Sequence, residues 1–217
     1  MKKAVYLIIS CALFLNYAKA QNTSFGITAG AVFTSYKAAV ESVSITSRTK
    51  AGFTAGAVVS IGMGKYISLQ PALNFVQKGG TFKDEGSADK TTLNYLELPL
   101  NIVYNTSGAK GKFFAGAGPC FSMGLSGKDK YKDDYYDETT DIKFGSGTDD
   151  DLKPLEVCIN IIAGYQLKNG LFIAANYNAG LNNIANGDSF YSVDTKYHNR
   201  YFGVRIGCMF GKKTKQQ

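Results

Sequence analysis

The sequence predicts an all-β protein, an eight-stranded antiparallel up-and-down transmembrane β-barrel that follows a cleaved signal peptide. Three observations support this fold class. The chain of 217 residues is 45% hydrophobic and only 19% charged, with 24 glycines, 14 tyrosines and 14 phenylalanines, which argues against disorder and for one domain. Hydrophobic and polar residues alternate with period two in eight segments. The connections between these segments are alternately short and long.

Residues 1–20 are expected to be the signal peptide. Lys2 and Lys3 form a basic start, residues 4–17 are apolar, and residues 18–20 read Ala-Lys-Ala, which is typical of a cleavage site. The apolar stretch is shorter than the roughly 20 residues that a membrane-spanning helix needs. A lipoprotein signal at Cys11 is the alternative, and it is disfavoured because the apolar stretch continues past that cysteine. The barrel is then expected to occupy residues 21–211.

Eight segments of alternation are the candidate strands, each about as long as a tilted strand needs to cross a bilayer. They cover residues 24–34, 51–61, 66–77, 93–104, 113–125, 155–167, 171–181 and 201–210. Short turns are expected at 62–65, 105–112 and 168–170, and long loops at 35–50, 78–92, 126–154 and 182–200. With an even number of strands, both termini lie at the end of the barrel that carries the short turns. A membrane barrel would place this end in the periplasm, together with a short basic tail at 212–217.

The polar faces of the strands indicate which side is enclosed. They carry mainly Gly, Ser, Thr, Asn and Gln, whereas a face in contact with water would be rich in Lys, Glu and Asp. We therefore expect the polar face to line the barrel and the apolar face to contact lipid. The alternative is a soluble, lipocalin-like barrel that binds an apolar small molecule inside.

Several motifs resemble those of a known family. They are Leu-Asn-Tyr-Leu-Glu-Leu-Pro-Leu at residues 93–100, Gly-Ala-Gly-Pro at 116–119, Asn-Tyr-Asn-Ala-Gly-Leu at 176–181, Ser-Leu-Gln-Pro-Ala-Leu at 68–73 and Gln-Lys-Gly-Gly at 77–80. Together they resemble the PorT-like outer-membrane β-barrel family of Bacteroidetes. This resemblance implies a small barrel of the OmpX/OmpA type in the outer membrane. It also implies a possible accessory role in secretion, because the founding member is associated with type IX secretion, although most relatives have no assigned activity.

Three charged residues fall on the face predicted to be enclosed. Glu97, Glu156 and Arg205 lie on three strands that run in the same direction, in the middle or upper half of each. Because unpaired charges inside a barrel are costly, we expect them to pair. The hypothesis is that Arg205 bridges one or both glutamates and fills the lumen. An acid/base pair or a gated pore is the alternative.

The loop at residues 126–154 is rich in acidic residues. It also contains Tyr131, Tyr135 and Tyr136. The acidic surface is assigned to Asp133, Asp134, Asp137, Glu138, Asp141, Asp149, Asp150 and Asp151. It lacks the spacing of a calcium-binding loop, so no specific metal site is predicted. A solvated loop, recognition of a protein partner, or a bridge through divalent cations to lipopolysaccharide remain open.

Nothing in the sequence indicates catalysis, and the protein is expected to be non-enzymatic, with no cofactor. The single histidine, His198, would need a serine such as Ser189 or Ser192 for hydrolase chemistry, and no motif supports this. Cys120 and Cys158 are expected on neighbouring inner faces, where free buried thiols are favoured over a disulfide. The net charge of +7 does not indicate nucleic-acid binding, because three positive charges lie in the expected signal peptide and three in the C-terminal tail, which leaves the barrel near neutral. The expected partners are outer-membrane lipid, lipopolysaccharide and a protein that contacts the long loops.

Overall fold

The computed structural model of the protein describes residues 23–40, 43–84, 86–186 and 195–211. The predicted signal peptide and the predicted C-terminal tail lie outside these residues. Ten strands form one sheet. They are β1 (Thr23–Val40), β2 (Val43–Thr46), β3 (Lys50–Gly62), β4 (Ile67–Asp84), β5 (Ser87–Asn105), β6 (Gly111–Lys132), β7 (Asp137–Ile142), β8 (Leu155–Leu167), β9 (Leu171–Gly180) and β10 (Thr195–Phe210).

Eight of these strands close into an antiparallel barrel, which confirms the predicted fold class. The sheet runs in the order β10-β9-β8-β6-β5-β4-β3-β1, and β1 also pairs with β10. This closing pair extends from Phe25 opposite Phe210 to Val40 opposite Thr195. The two remaining strands are short, with β2 paired to β1 and β7 paired to β6. Both lie at the end that carries the long connections, which we call the long-loop end; the opposite end is the short-turn end.

The strands reach further at the long-loop end than the sequence predicts. A long loop was expected at residues 78–92, but β4 and β5 continue there as a hairpin that pairs Asp84 with Ser87. Strand β6 likewise runs to Lys132, inside the loop expected at 126–154. The alternation of apolar and polar residues ends where the lipid ends, whereas the backbone hydrogen bonds continue beyond it. The hydrophobic pattern therefore underestimates the length of the strands.

The apolar face points outward, as predicted. Large apolar side chains on the barrel wall are exposed, including Ile206 at 66% and Phe113 at 65%. The fully buried side chains include Asn74, Glu97 and Asn178. A soluble barrel has the opposite arrangement, so the structure favours the transmembrane barrel over the lipocalin-like alternative. Within the described residues, no helix is long and apolar enough to cross a membrane.

The long-loop end of the lumen is covered by an apolar cap. Leu93 and Tyr95 of β5 pack with Leu152, and Phe144 packs against this group. Phe144 and Leu152 belong to the segment after β7, which folds back over the barrel mouth instead of extending into solvent. Part of the loop predicted at 126–154 therefore closes the barrel.

Candidate functional site

A buried ion-pair cluster crosses the lumen below this cap. Lys78 of β4 lies between the carboxylates of Glu97 on β5 and Glu156 on β8. Its Nζ is 3.2 Å from Glu97 Oε2 and 2.8 Å from Glu156 Oε2. Lys78 also donates a hydrogen bond of 3.1 Å to Ser122 Oγ, and the Ser122 hydroxyl donates one of 3.2 Å to Glu97. Because Ser122 pairs in register with both Glu97 and Glu156, the two glutamates lie at one height in the barrel.

Arg205 does not occupy the bridging position that the sequence hypothesis gave it. Its Nη2 donates a hydrogen bond of 3.1 Å to Tyr201 Oη, and the Tyr201 hydroxyl donates one of 2.6 Å to Glu97 Oε1. Arg205 thus reaches Glu97 through Tyr201, while Lys78 bridges the two glutamates. The physical reason is the position of Arg205 along the barrel axis. Strand β10 places Arg205 opposite Gly30, closer to the short-turn end, whereas Tyr201, four residues earlier on β10, lies nearer the cluster.

Lys78 is the site residue that sequence reasoning missed. The sequence pattern assigns it to the long loop expected at residues 78–92. The signal that could have found it is the continued alternation, because Asn74, Val76 and Lys78 follow one another on the buried face of β4.

Aromatic rings enclose the ammonium group. Lys78 Nζ lies 4.8 Å from the ring centre of Tyr95 and 5.5 Å from that of Tyr201. Such cation–π contacts stabilise a desolvated cation. The formal charges of Lys78 and Arg205 together balance those of Glu97 and Glu156. This arrangement can fasten β4, β5, β8 and β10 to one another across the lumen.

The same region holds a group of possible metal ligands. Glu97, Cys120 and Cys158 place three ligand atoms within 4.8 Å of one another. However, Glu97 is already paired with Lys78, and a metal cation would have to displace that ammonium group. Cys120 and Cys158 are register partners on β6 and β8, and both thiols are free. The geometry therefore fits a structural brace better than a metal centre.

Below the cluster, amide side chains fill the lumen. Asn160 donates a hydrogen bond of 3.0 Å to Asn101, and Asn176 donates one of 3.3 Å to Asn160. These residues and Arg205 line a cavity of about 50 Å³, which is room for very few water molecules. The lumen around the site is consequently narrow and polar.

The acidic residues of the predicted loop are divided between two structures. The first is the hairpin of β6 and β7. Asp133, at its turn, accepts hydrogen bonds of 2.7 and 2.6 Å from the backbone N–H groups of Tyr135 and Tyr136, which lowers the pKa of its carboxyl group. Asp137 forms an ion pair of 2.8 Å with Lys130, which lowers the pKa of Asp137. The other acidic residues exposed on this hairpin are Asp134, Glu138 and Asp141.

The second structure is the turn before β8. Asp151 accepts a hydrogen bond from the backbone N–H of Lys143, and Asp150 accepts one from that of Gly147, both of 2.8 Å. Asp149 is exposed beside them. These carboxylates organise backbone turns, and among the described residues they do not converge on one cation site.

His198 lies on β10, opposite Lys37 of β1. The serines weighed as its partners, Ser189 and Ser192, lie outside the described residues. The absence of catalysis therefore stays a prediction.

Comparison with known proteins identifies the family. Residues 19–186 match the family described as "Outer membrane protein beta-barrel domain". No curated protein matches the sequence. Similar solved structures include Ail of Yersinia pestis (11% identity, 88% of this chain, 100% of that chain, TM-score 0.44). A major outer membrane protein of Thermus thermophilus has 12% identity over 88% of this chain and 100% of that chain, with a TM-score of 0.49. OprG of Pseudomonas aeruginosa has 12% identity over 87% and 96%, with a TM-score of 0.45. Because the family match spans more than half of its residues, the chain belongs to the outer membrane protein beta-barrel domain family.

Proposed function

We propose that this outer-membrane barrel is a closed, non-enzymatic scaffold that presents the hairpin of β6 and β7 at the cell surface to a macromolecular partner. The observation that carries the proposal is the Lys78–Glu97–Glu156 cluster, which crosses the lumen at distances of 3.2 and 2.8 Å. With the apolar cap above it, the cluster leaves no wide channel through the described part of the barrel. A braced barrel holds its loops in fixed positions, which suits binding better than transport.

The tip of the hairpin has the composition of a binding surface. Tyr135 is 90% exposed, Tyr136 is 69% exposed and Tyr131 is 45% exposed. Exposed tyrosines at this density are common at sites that bind proteins, because they bury a large area with little loss of conformational entropy. Next to these tyrosines, Lys130 and Lys132 of β6 form ion pairs with Asp137 of β7, which link the two strands of the hairpin. Lipopolysaccharide, bridged by divalent cations to the exposed carboxylates, is the second partner that this surface fits.

The proposal includes an orientation and a processing step. Residues 1–20 are removed as a signal peptide, residues 21–211 form the barrel, and both termini, with the basic tail at 212–217, face the periplasm. The long-loop end then faces the exterior, as is usual for outer-membrane barrels. An accessory role in protein secretion rests on the resemblance of residues 93–100 to the PorT-like family, and this motif includes Glu97 of the cluster.

Labelling in intact cells tests the orientation. A Tyr135→Cys variant should react with a membrane-impermeant maleimide in intact cells. The matched control, Asn169→Cys in the turn between β8 and β9, should react only after the outer membrane is permeabilised. The reverse pattern would contradict the orientation.

Conductance and partner binding test the scaffold role. The purified barrel in planar bilayers should show no discrete ion conductance, and a stable open channel would contradict the closed lumen. Crosslinking from position 135 should give a product that disappears when Tyr131 and Tyr136 are replaced by Ala and persists in Phe53→Ala, which alters only the lipid-facing wall. Identical crosslinking in both variants would contradict recognition by the tyrosines.

A further inference from the structure

Charge is segregated along the barrel axis. The sequence has 17 acidic residues, and residues 51–83, 98–128, 157–186 and 195–217 contain none of them. Among the described residues, Glu97 and Glu156, at one height in the lumen, are the acidic residues nearest to the short-turn end. The other described acidic residues fall in segments at or near the long-loop end. The described half of the barrel beyond Glu97, toward the short turns, therefore contains no carboxylate side chain.

Lysines from three separate chain segments converge on this acid-free end. Lys65 lies in the turn between β3 and β4, Lys112 begins β6, and Lys168 lies in the turn between β8 and β9. All three line one open cup of about 580 Å³ at the short-turn mouth. The remaining walls supply hydroxyl and amide groups, including those of Ser24, Ser60, Ser68, Asn105, Thr106 and Ser107.

These lysines have no carboxylate partner in the part of the chain that the structure describes. Every ion pair among those residues involves Lys78, Lys128, Lys130 or Lys132 instead. The ammonium group of Lys65 lies 5.2 Å from the ring centre of Tyr66, a contact that leaves its charge uncompensated. Three cations around one concave surface repel one another unless an anion lies between them.

We propose that this cup is a binding site for a small solute that carries several oxyanion groups, phosphates or carboxylates. Ammonium groups and hydroxyl donors together are the groups that bind such anions. The volume of the cup lies within the range of about 300–1,000 Å³ that is usual for small-molecule sites. The proposal goes beyond the scaffold role and does not depend on which side of the membrane the short-turn end faces.

Calorimetric titration of the detergent-folded protein at low salt tests the site, with inorganic pyrophosphate and citrate as separate probes. The wild-type protein should bind at least one probe saturably. The triple variant Lys65→Gln, Lys112→Gln, Lys168→Gln should bind it at least about tenfold more weakly, as expected when charge-assisted hydrogen bonds are lost. The control Lys128→Gln, Lys130→Gln, Lys132→Gln removes the same number of charges at the long-loop end and should bind like the wild type.

The pattern of binding distinguishes the possible ligands. Preference for pyrophosphate would identify a phosphorylated ligand, and preference for citrate a polycarboxylate; either result supports the site. No saturable binding, or an equal loss in both triple variants, would overturn it. Should the first triple variant fail to fold, the single exposed change Lys65→Gln must still weaken binding, or the proposal is wrong. The scaffold role is tested by conductance and surface labelling, which do not involve these lysines. A negative result in the titration would therefore overturn the binding site and would not contradict the scaffold role.

Discussion

Replacing Lys78 with Met should destabilise the barrel strongly. The side chain is 1% exposed and pairs with two carboxylates that are themselves fully buried. Removal of one partner from a buried ion pair typically costs about 3–5 kcal/mol, because the remaining charge is left without compensation. Lys78→Met leaves Glu156 without its ion-pair partner and Glu97 with only its indirect link to Arg205, so we expect a loss of about that size in the free energy of unfolding.

The same structure predicts a smaller effect at Arg205. Its described contact in the cluster is one hydrogen bond to Tyr201, so Arg205→Met should cost about 1.5–3 kcal/mol. The double variant Lys78→Met, Glu156→Gln removes one charge of each sign and leaves Glu97 linked to Arg205 through Tyr201, so it should recover most of the stability lost by Lys78→Met alone.

Urea unfolding in lipid vesicles measures these free energies. The folded fraction can be read from heat-modifiable gel migration, since the chain has no tryptophan for fluorescence. Two results would refute the reasoning: Lys78→Met within about 0.5 kcal/mol of the wild type, the usual range for a surface substitution, or a larger loss from Arg205→Met than from Lys78→Met.

Three further predictions follow from other parts of the molecule. Gly79 has a φ angle of 133°, and an added Cβ would meet the backbone oxygen of Thr91, so Gly79→Ala should lower stability by at least about 1–3 kcal/mol in the same unfolding assay; a neutral result would contradict the strain. The pKa of Asp133 is lowered by two backbone N–H donors, so its support of the hairpin turn is complete above about pH 3.9 and is lost as the pH falls through its lower folded value. Amide chemical shifts of the turn should report this transition, and loosening at rising pH would show that the sign is wrong. Cys120 and Cys158 are buried free thiols, so in a Cys208→Ser variant maleimide should modify them only after unfolding, and rapid labelling of either one in the folded barrel would show that the lumen is open.

The number of barrel strands and the orientation of their faces could be predicted from the sequence because both depend on local alternation. Leu73 and Asn74, neighbours on β4, illustrate this: one is 50% exposed and the other is fully buried. The burial of Glu97 and Glu156 followed from the same alternation. These features require no knowledge of how distant strands are staggered.

The pairing within the lumen could not be predicted in this way. Whether Lys78 or Arg205 meets the glutamates depends on the relative heights of β4, β5, β8 and β10, which barrel closure and strand tilt determine. The apolar cap was missed for a similar reason. Phe144 and Leu152 come from a segment dominated by charged residues, and their packing over Tyr95 is a long-range contact.

Lipid contact of the apolar face can be measured directly by spin labels in a cysteine-free variant reconstituted into bilayers. Labels at Ile206 and Leu73, both at least half exposed, should collide with dissolved oxygen and be protected from a water-soluble nickel complex. A label at Asn178, fully buried on the lumen side, should be shielded from lipid-dissolved oxygen. Nickel-accessible labels at Ile206 and Leu73, in protein that stays dispersed without detergent, would contradict a membrane-spanning barrel.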